Sequence, residues 1–138
     1  MRAVLDTNVF ISALVNPHGA PARIYRAWRD RRAFELLTGA EQFEEFRRVS
    51  RYPLLRALFA PHQAGRMLQD LRRLARLVEP TDEINVSRDP GDNFLMAIAV
   101  TGDADYLVTG DRRSGLLALR QYRRTRIVTA AQFLAILG

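Results

Sequence analysis

The chain contains no cysteine and no lysine. Without cysteine there is no disulfide framework, no thiolate-bound zinc or iron–sulfur centre and no thiol nucleophile, a usage that suits a reducing compartment. Without lysine there is no Schiff-base or phosphate-loop chemistry. Histidine is nearly as scarce: His18 and His62 are the two, and neither falls in a recognisable pattern. Long apolar runs are missing as well. The longest, Phe94 to Val100, falls far short of the ~20 residues that a membrane span requires. Asp6 interrupts the only N-terminal stretch with any leader-peptide character. The expectation is a cytoplasmic protein with no membrane association.

What is present suits one domain over residues 1–138, with no linker, internal repeat or low-complexity tract. Hydrophobic residues make up 48% and charged residues 26%, ordinary values for a globular domain. The charge is less ordinary. All 21 basic residues are arginine, against 15 acidic ones, for a net charge of +6. Exclusive use of arginine reads first as codon bias. The distribution carries more information: residues 47–78 hold a net +7, residues 79–111 a net −7 and residues 112–138 a net +6, while residues 1–46 are neutral. Solvated loops and helix faces can account for this. So can an acidic site bordered by basic surface, the layout of a metal-dependent enzyme that acts on a polyanion.

The pattern predicts short buried strands at Ala3–Leu5, Phe34–Leu37, Leu77–Val78, Tyr106–Val108 and Arg126–Val128. Between them it predicts helices over Val9–Val15, Pro21–Arg31, Ala40–Ser50, Pro61–Ala75 and about 92–101, with Ala130–Leu137 closing the chain. Strands alternating with helices argue for a parallel sheet covered on both faces. In such sheets ligands bind beyond the carboxyl ends of the strands. Trp28, Leu68 and Leu71 belong either to the core or to a dimer or partner surface.

Carboxylates follow these strands. Asp6 comes directly after the first, Asp111 closely after Tyr106–Val108, Asp92 opens the helix leading into that strand, and Glu45 lies on the helix after the second. With Phe43 at 0° and about 100° per residue, Phe46 and Val49 define an apolar face. Glu45 borders that face, whereas Glu41 and Glu44 point outward. Carboxylates brought to one rim repel one another unless a cation sits among them, and Mg2+ or Mn2+ accept hard oxygen ligands alone. Each residue also has a plainer reading. Asp6 and Asp89 are good helix N-caps, Asp92 stands where a capping-box acid would, and Asp111 lies in a Thr-Gly-Asp turn. Asp103 and Asp105 precede their strand and belong to the opposite end.

Taken together, Val4-Leu-Asp-Thr-Asn-Val9, Glu45 within Glu-Phe-Arg-Arg-Val-Ser-Arg-Tyr-Pro53, Asp-Pro-Gly-Asp-Asn-Phe-Leu95 and Tyr-Leu-Val-Thr-Gly-Asp111 resemble the PIN-domain nucleases. The chain looks most like the bacterial group described as toxin components of toxin–antitoxin pairs, relatives of the VapC-like toxins, and Thr129-Ala-Ala-Gln-Phe-Leu134 is similar to that group's ending. The resemblance implies a three-layer α/β/α fold around a five-stranded parallel sheet of order 3-2-1-4-5. It also implies Mg2+- or Mn2+-dependent cleavage of single-stranded RNA. Its acidic quartet maps onto Asp6, Glu45, Asp92 and Asp111 as catalytic and metal-binding residues, with Thr7, Asn8, Asp89 and Thr109 as supporting positions. Ser50 stands where the pattern more often has leucine.

Arg112 and Arg113, next to Asp111, and Arg47, Arg48 and Arg51, near Glu45, are the candidates for holding an RNA backbone. The partners expected are RNA, a small antitoxin protein and a second copy of the chain in a homodimer or higher homo-oligomer. A PIN fold without useful catalysis, acting through a protein or RNA partner, is the competing reading. A receiver domain or a haloacid-dehalogenase-type phosphatase is excluded, because position 8 is asparagine and lysine is absent.

Overall fold

The computed structural model describes residues 1–110 and 115–138; Asp111, Arg112 and Arg113 lie outside the described residues. Strand β1 (Arg2–Leu5) runs into helix α1 (Thr7–Val15), followed by α2 (Ala20–Arg31), β2 (Glu35–Thr38) and α3 (Ala40–Val49). A short turn of helix α4 (Pro53–Arg56), the long α5 (Pro61–Leu74) and strand β3 (Arg76–Leu77) come next. The remainder comprises α6 (Pro90–Thr101), β4 (Tyr106–Val108), α7 (Leu116–Leu119), β5 (Gln121–Tyr122), β6 (Thr125–Val128) and α8 (Ala130–Leu137).

Among the described residues the sheet has six strands in the order β3-β2-β1-β4-β6-β5. Its first five members pair in parallel, and β5 pairs antiparallel with β6. The expected five-stranded parallel order is therefore extended by one short edge strand. Gln121 and Tyr122 carry no alternating apolar signal, and the two-residue turn to Thr125 is made by Arg123, in the left-handed region at φ 52°, and Arg124. Glycine or asparagine usually announces such a turn; here the Gln121 side chain braces it, donating to the Arg123 carbonyl at 2.9 Å.

Side chains alternate across the strands and divide the core into two layers. Ala3, Leu5, Leu36 and Val108 face one side, where they pack with Phe10, Trp28, Phe46, Leu71 and Phe133 from the flanking helices. Val4, Leu37, Leu107 and Ile127 face the other, against Met96, Ile98 and Ala99 of α6. This is why α6 is apolar nearly all round: it is buried against β1, β2 and β4 on that face of the sheet. Trp28 and Leu71 lie in the core, not at a partner surface. The Tyr25 hydroxyl donates to Asp70 at 2.6 Å, tying α2 to α5. Among the described residues no helix is long and apolar enough to cross a membrane.

One close approach marks the passage from β2 into α3. A Cβ on Gly39, the residue before α3, would stand 2.8 Å from the tip of the Phe94 ring and 3.0 Å from Cδ1 of Ile98. Phe94 is half-buried and can swing, but Ile98 is fully buried. Gly39→Ala is therefore expected to lower stability by about 1–3 kcal/mol, the usual cost of overpacking, which thermal or urea unfolding would register.

Candidate active site

Because β1, β2, β3, β4 and β6 are parallel, their carboxyl ends share one rim, and Asp6 stands at its centre. The peptide N–H of Asp6 donates to the Val108 carbonyl at 2.8 Å, so the end of β1 is held to the end of β4. Its carboxylate is fixed from two sides: Oδ1 accepts from the backbone N–H of Asn8 at 3.2 Å, and Oδ2 accepts from the Thr109 hydroxyl at 2.9 Å. The first of these is the N-cap of α1. Capping and presentation at the rim are thus one geometry, and the two sequence readings of Asp6 do not compete.

Asp6 is 6% exposed. Burial pushes its carboxyl up to about 6, partly opposed by the hydrogen bonds from Thr109 and Asn8, while the negative charges of Glu45 and Asp92 push it further up. Glu45 and Asp92 are thereby placed within electrostatic reach of Asp6, although they come from α3 and α6. Asp92 is 4% exposed and accepts from the Ser87 hydroxyl at 3.0 Å. Asp89 takes the capping role, accepting from the Gly91 N–H at 2.8 Å, and is itself exposed. Gly91 marks where α6 meets α3: a Cβ there would lie 3.2 Å from Asp89 Oδ1 and 3.4 Å from Glu45 Oε2. Glu45 is half-buried while Glu41 and Glu44 are exposed, in keeping with its place at the border of the apolar face.

The supporting positions divide. Thr109 bonds Asp6 directly. Thr7 is buried, and its hydroxyl is 3.4 Å from the Gln42 side-chain nitrogen. Asn8 is exposed and reaches Asp6 through its backbone alone. Of the arginines, Arg48 lines a cleft of ≈ 270 Å³ together with Glu45, Glu44, Pro90 and Gly91. Arg47 and Arg51 line a different cleft, of ≈ 430 Å³, with Arg56 and Phe59 on the other flank of α3.

Two supports escape the sequence reading. Gln42 is 2% exposed; it accepts from the Thr38 hydroxyl at 2.7 Å and donates to the Leu5 carbonyl at 2.6 Å, pinning the chain just before Asp6. Its helical angle, about 260° on the scale above, lies between Phe46 and Val49 on the apolar face, and a polar residue there is the signal that could have found it. Asn93 clamps the loop before α6, its Oδ1 accepting from Val86 and Ser87 N–H at 2.8 and 2.9 Å and its Nδ2 donating to the Ser87 carbonyl at 2.7 Å.

Among the described residues, no three carboxylate, imidazole or thiol side chains stand close enough to grip one ion. The donor chemistry nevertheless suits a hard divalent cation. The charges of Glu45 and Asp92 both bear on the Asp6 carboxylate, and among the described residues no arginine forms an ion pair with Asp6 or Glu45.

A family model described as the PIN domain matches residues 2–113, a span that takes in Asp6, Glu45, Asp92 and Asp111. The chain belongs to the PIN-domain family. PIN domains are generally nucleases, and they typically use divalent metal ions. The chain is also similar to an uncharacterized protein of Methanocaldococcus jannaschii, 30% identical over 121 residues that cover 87% of this chain and 76% of the relative. In PIN-domain terms, the rim that holds Asp6, Glu45 and Asp92 is the candidate active site.

Proposed function

We propose that this PIN domain is an Mg2+- or Mn2+-dependent endoribonuclease that hydrolyses single-stranded RNA in the cytoplasm. It would act as a toxin of the VapC-like kind, working as a homodimer or higher homo-oligomer and held in check by a small antitoxin protein. The observation that carries the reading is the buried Asp6 carboxylate, fixed between β1 and β4 and repelled by Glu45 and Asp92 at the open rim of the sheet. A net charge of +6 on a chain with so acidic a rim supports a polyanionic substrate.

Asp6, Glu45, Asp92 and Asp111 would hold the ion. When bound, it supplies Lewis acidity, offsetting phosphate charge and making the attacking water easier to deprotonate. The protein's own contribution is placement. Thr109 and the Asn8 N–H keep the Asp6 oxygens in fixed directions, and Ser87 does the same for one oxygen of Asp92. Glu45, half-buried at the cleft it shares with Arg48, would help to hold the ion or orient the attacking water, and Arg48 would hold a phosphate beside it. Arg112 and Arg113, following Asp111, would extend that hold along the strand. Arg47 and Arg51, on the far flank of α3, would meet RNA only beyond the cleavage point.

Incubation of the full chain with single-stranded RNA and Mn2+ is expected to give discrete fragments, with none in excess chelator and few from duplex RNA. Fragments that persist in chelator would end the metal-dependent reading. Ser87→Ala is expected to slow cleavage about tenfold, the scale of lost support to a metal ligand, with little change in melting temperature.

The competing reading is a PIN fold that binds RNA or protein without cutting. Metal affinity without turnover on RNA or DNA would select it.

A further inference from the structure

A groove of ≈ 520 Å³ opens at the β3 edge of the sheet, where among the described residues no strand stands beyond β3. Its floor is apolar, formed by Leu77, Ile84 and Phe94 among others, and Leu77 is 62% exposed. Its rim is acidic: Glu41, Glu79 and Asp82 line it, and among the described residues no basic side chain does. Asp82 also meets Arg123 at 3.7 Å, a loose and half-exposed contact. The groove is continuous with the cleft that holds Glu45, since Glu41 and Phe94 line both.

Exposed apolar surface bounded by charge of one sign fits a partner of opposite charge that brings apolar side chains of its own. A nucleic acid is repelled by this rim; among the described residues the arginines nearest α3 line other clefts, Arg48 the adjoining one and Arg47, Arg51 and Arg56 another. We propose that the groove is a docking surface for a cationic, apolar-anchored polypeptide segment of a partner protein. Apolar side chains of that segment seat on Leu77, Ile84 and Phe94, and its basic side chains pair with Glu79, Asp82 and Glu41. The proposal rests on the groove alone and holds whether or not the chain cleaves RNA.

The test titrates the full chain into a fluorescein-labelled nine-residue peptide of alternating arginine and leucine, read by anisotropy at physiological salt. Saturable binding is expected, weakened about tenfold or more by Glu79→Arg with Asp82→Arg and by Leu77→Asp. These residues are exposed, and circular dichroism would verify that the variants fold. The same peptide built with glutamate is expected not to bind. Equal binding of both peptides, or undiminished binding to the groove variants, would overturn the proposal. So would loss of binding confined to Asp6→Asn or Glu45→Gln, which would place the peptide at the rim carboxylates instead.

Discussion

Asp6→Asn is expected to reduce RNA cleavage by more than about 100-fold, since loss of a ligand should exceed the loss of a ligand's support, and at the same time to raise the stability of the metal-free protein. The two effects have one cause. Burial and the charges of Glu45 and Asp92 raise the Asp6 carboxyl to about 6 from its ordinary value of 3.8. A group whose folded-state pKa is raised contributes stability fully present below its unfolded value and lost as pH rises through the folded one. In chelator, the wild-type protein is therefore expected to lose stability between about pH 4 and pH 6, by something on the order of 2–3 kcal/mol from this group. Asparagine keeps an N-cap acceptor for the Asn8 N–H and carries no charge, so Asp6→Asn should melt higher than wild type at pH 7.5 and show no such advantage near pH 4. A divalent ion should restore much of the difference in the wild type. A variant that is inactive and less stable at both pH values would mean that Asp6 serves packing and capping alone.

Gln42→Leu is expected to be the most damaging single change outside the carboxylates. Its side chain lies in the interior and connects three groups: the Thr38 hydroxyl, the Leu5 carbonyl and, at longer range, the Thr7 hydroxyl. Leucine fills similar space but leaves these buried groups without their partner, at roughly 1–3 kcal/mol for each unsatisfied group. The Leu5 carbonyl belongs to the residue before Asp6, so the loss also frees the segment that presents the rim carboxylate. Denaturation should show a loss of about 3 kcal/mol or more. Cleavage at a temperature where the variant is still folded should fall as well, with more Mn2+ needed for half-maximal rate. Unchanged metal dependence in the folded variant would confine Gln42 to stability.

Much of this arrangement is readable in the residues, and the parts that are not share a reason. The main helices and five parallel strands follow from apolar period and from Pro and Asp at helix starts, signals that are local. The placement of Asp6 and Asp92 follows from strand ends in a parallel sheet, a topological rule that needs no contact information. Strand β5 is hidden because its turn uses Arg123 at positive φ where glycine or asparagine would usually appear. Gln42 and Asn93 are hidden because their partners are backbone groups, which no side-chain pattern reports. Arg47, Arg48 and Arg51 look equivalent in sequence; only the rotation of α3 against α6 separates Arg48, beside Glu45, from the other two.

The central claim is that carboxylates at the rim form one divalent-ion site. Calorimetric titration of Mn2+ into the chelator-treated chain tests it most directly, with Asp6→Asn as the probe and Asp105→Asn as the control. Asp105 lies at the opposite end of the sheet, held by the Arg2 N–H at 2.8 Å and by Arg124. The account predicts saturable binding in wild type and in Asp105→Asn, and its loss in Asp6→Asn. Equal binding by all three proteins would contradict it.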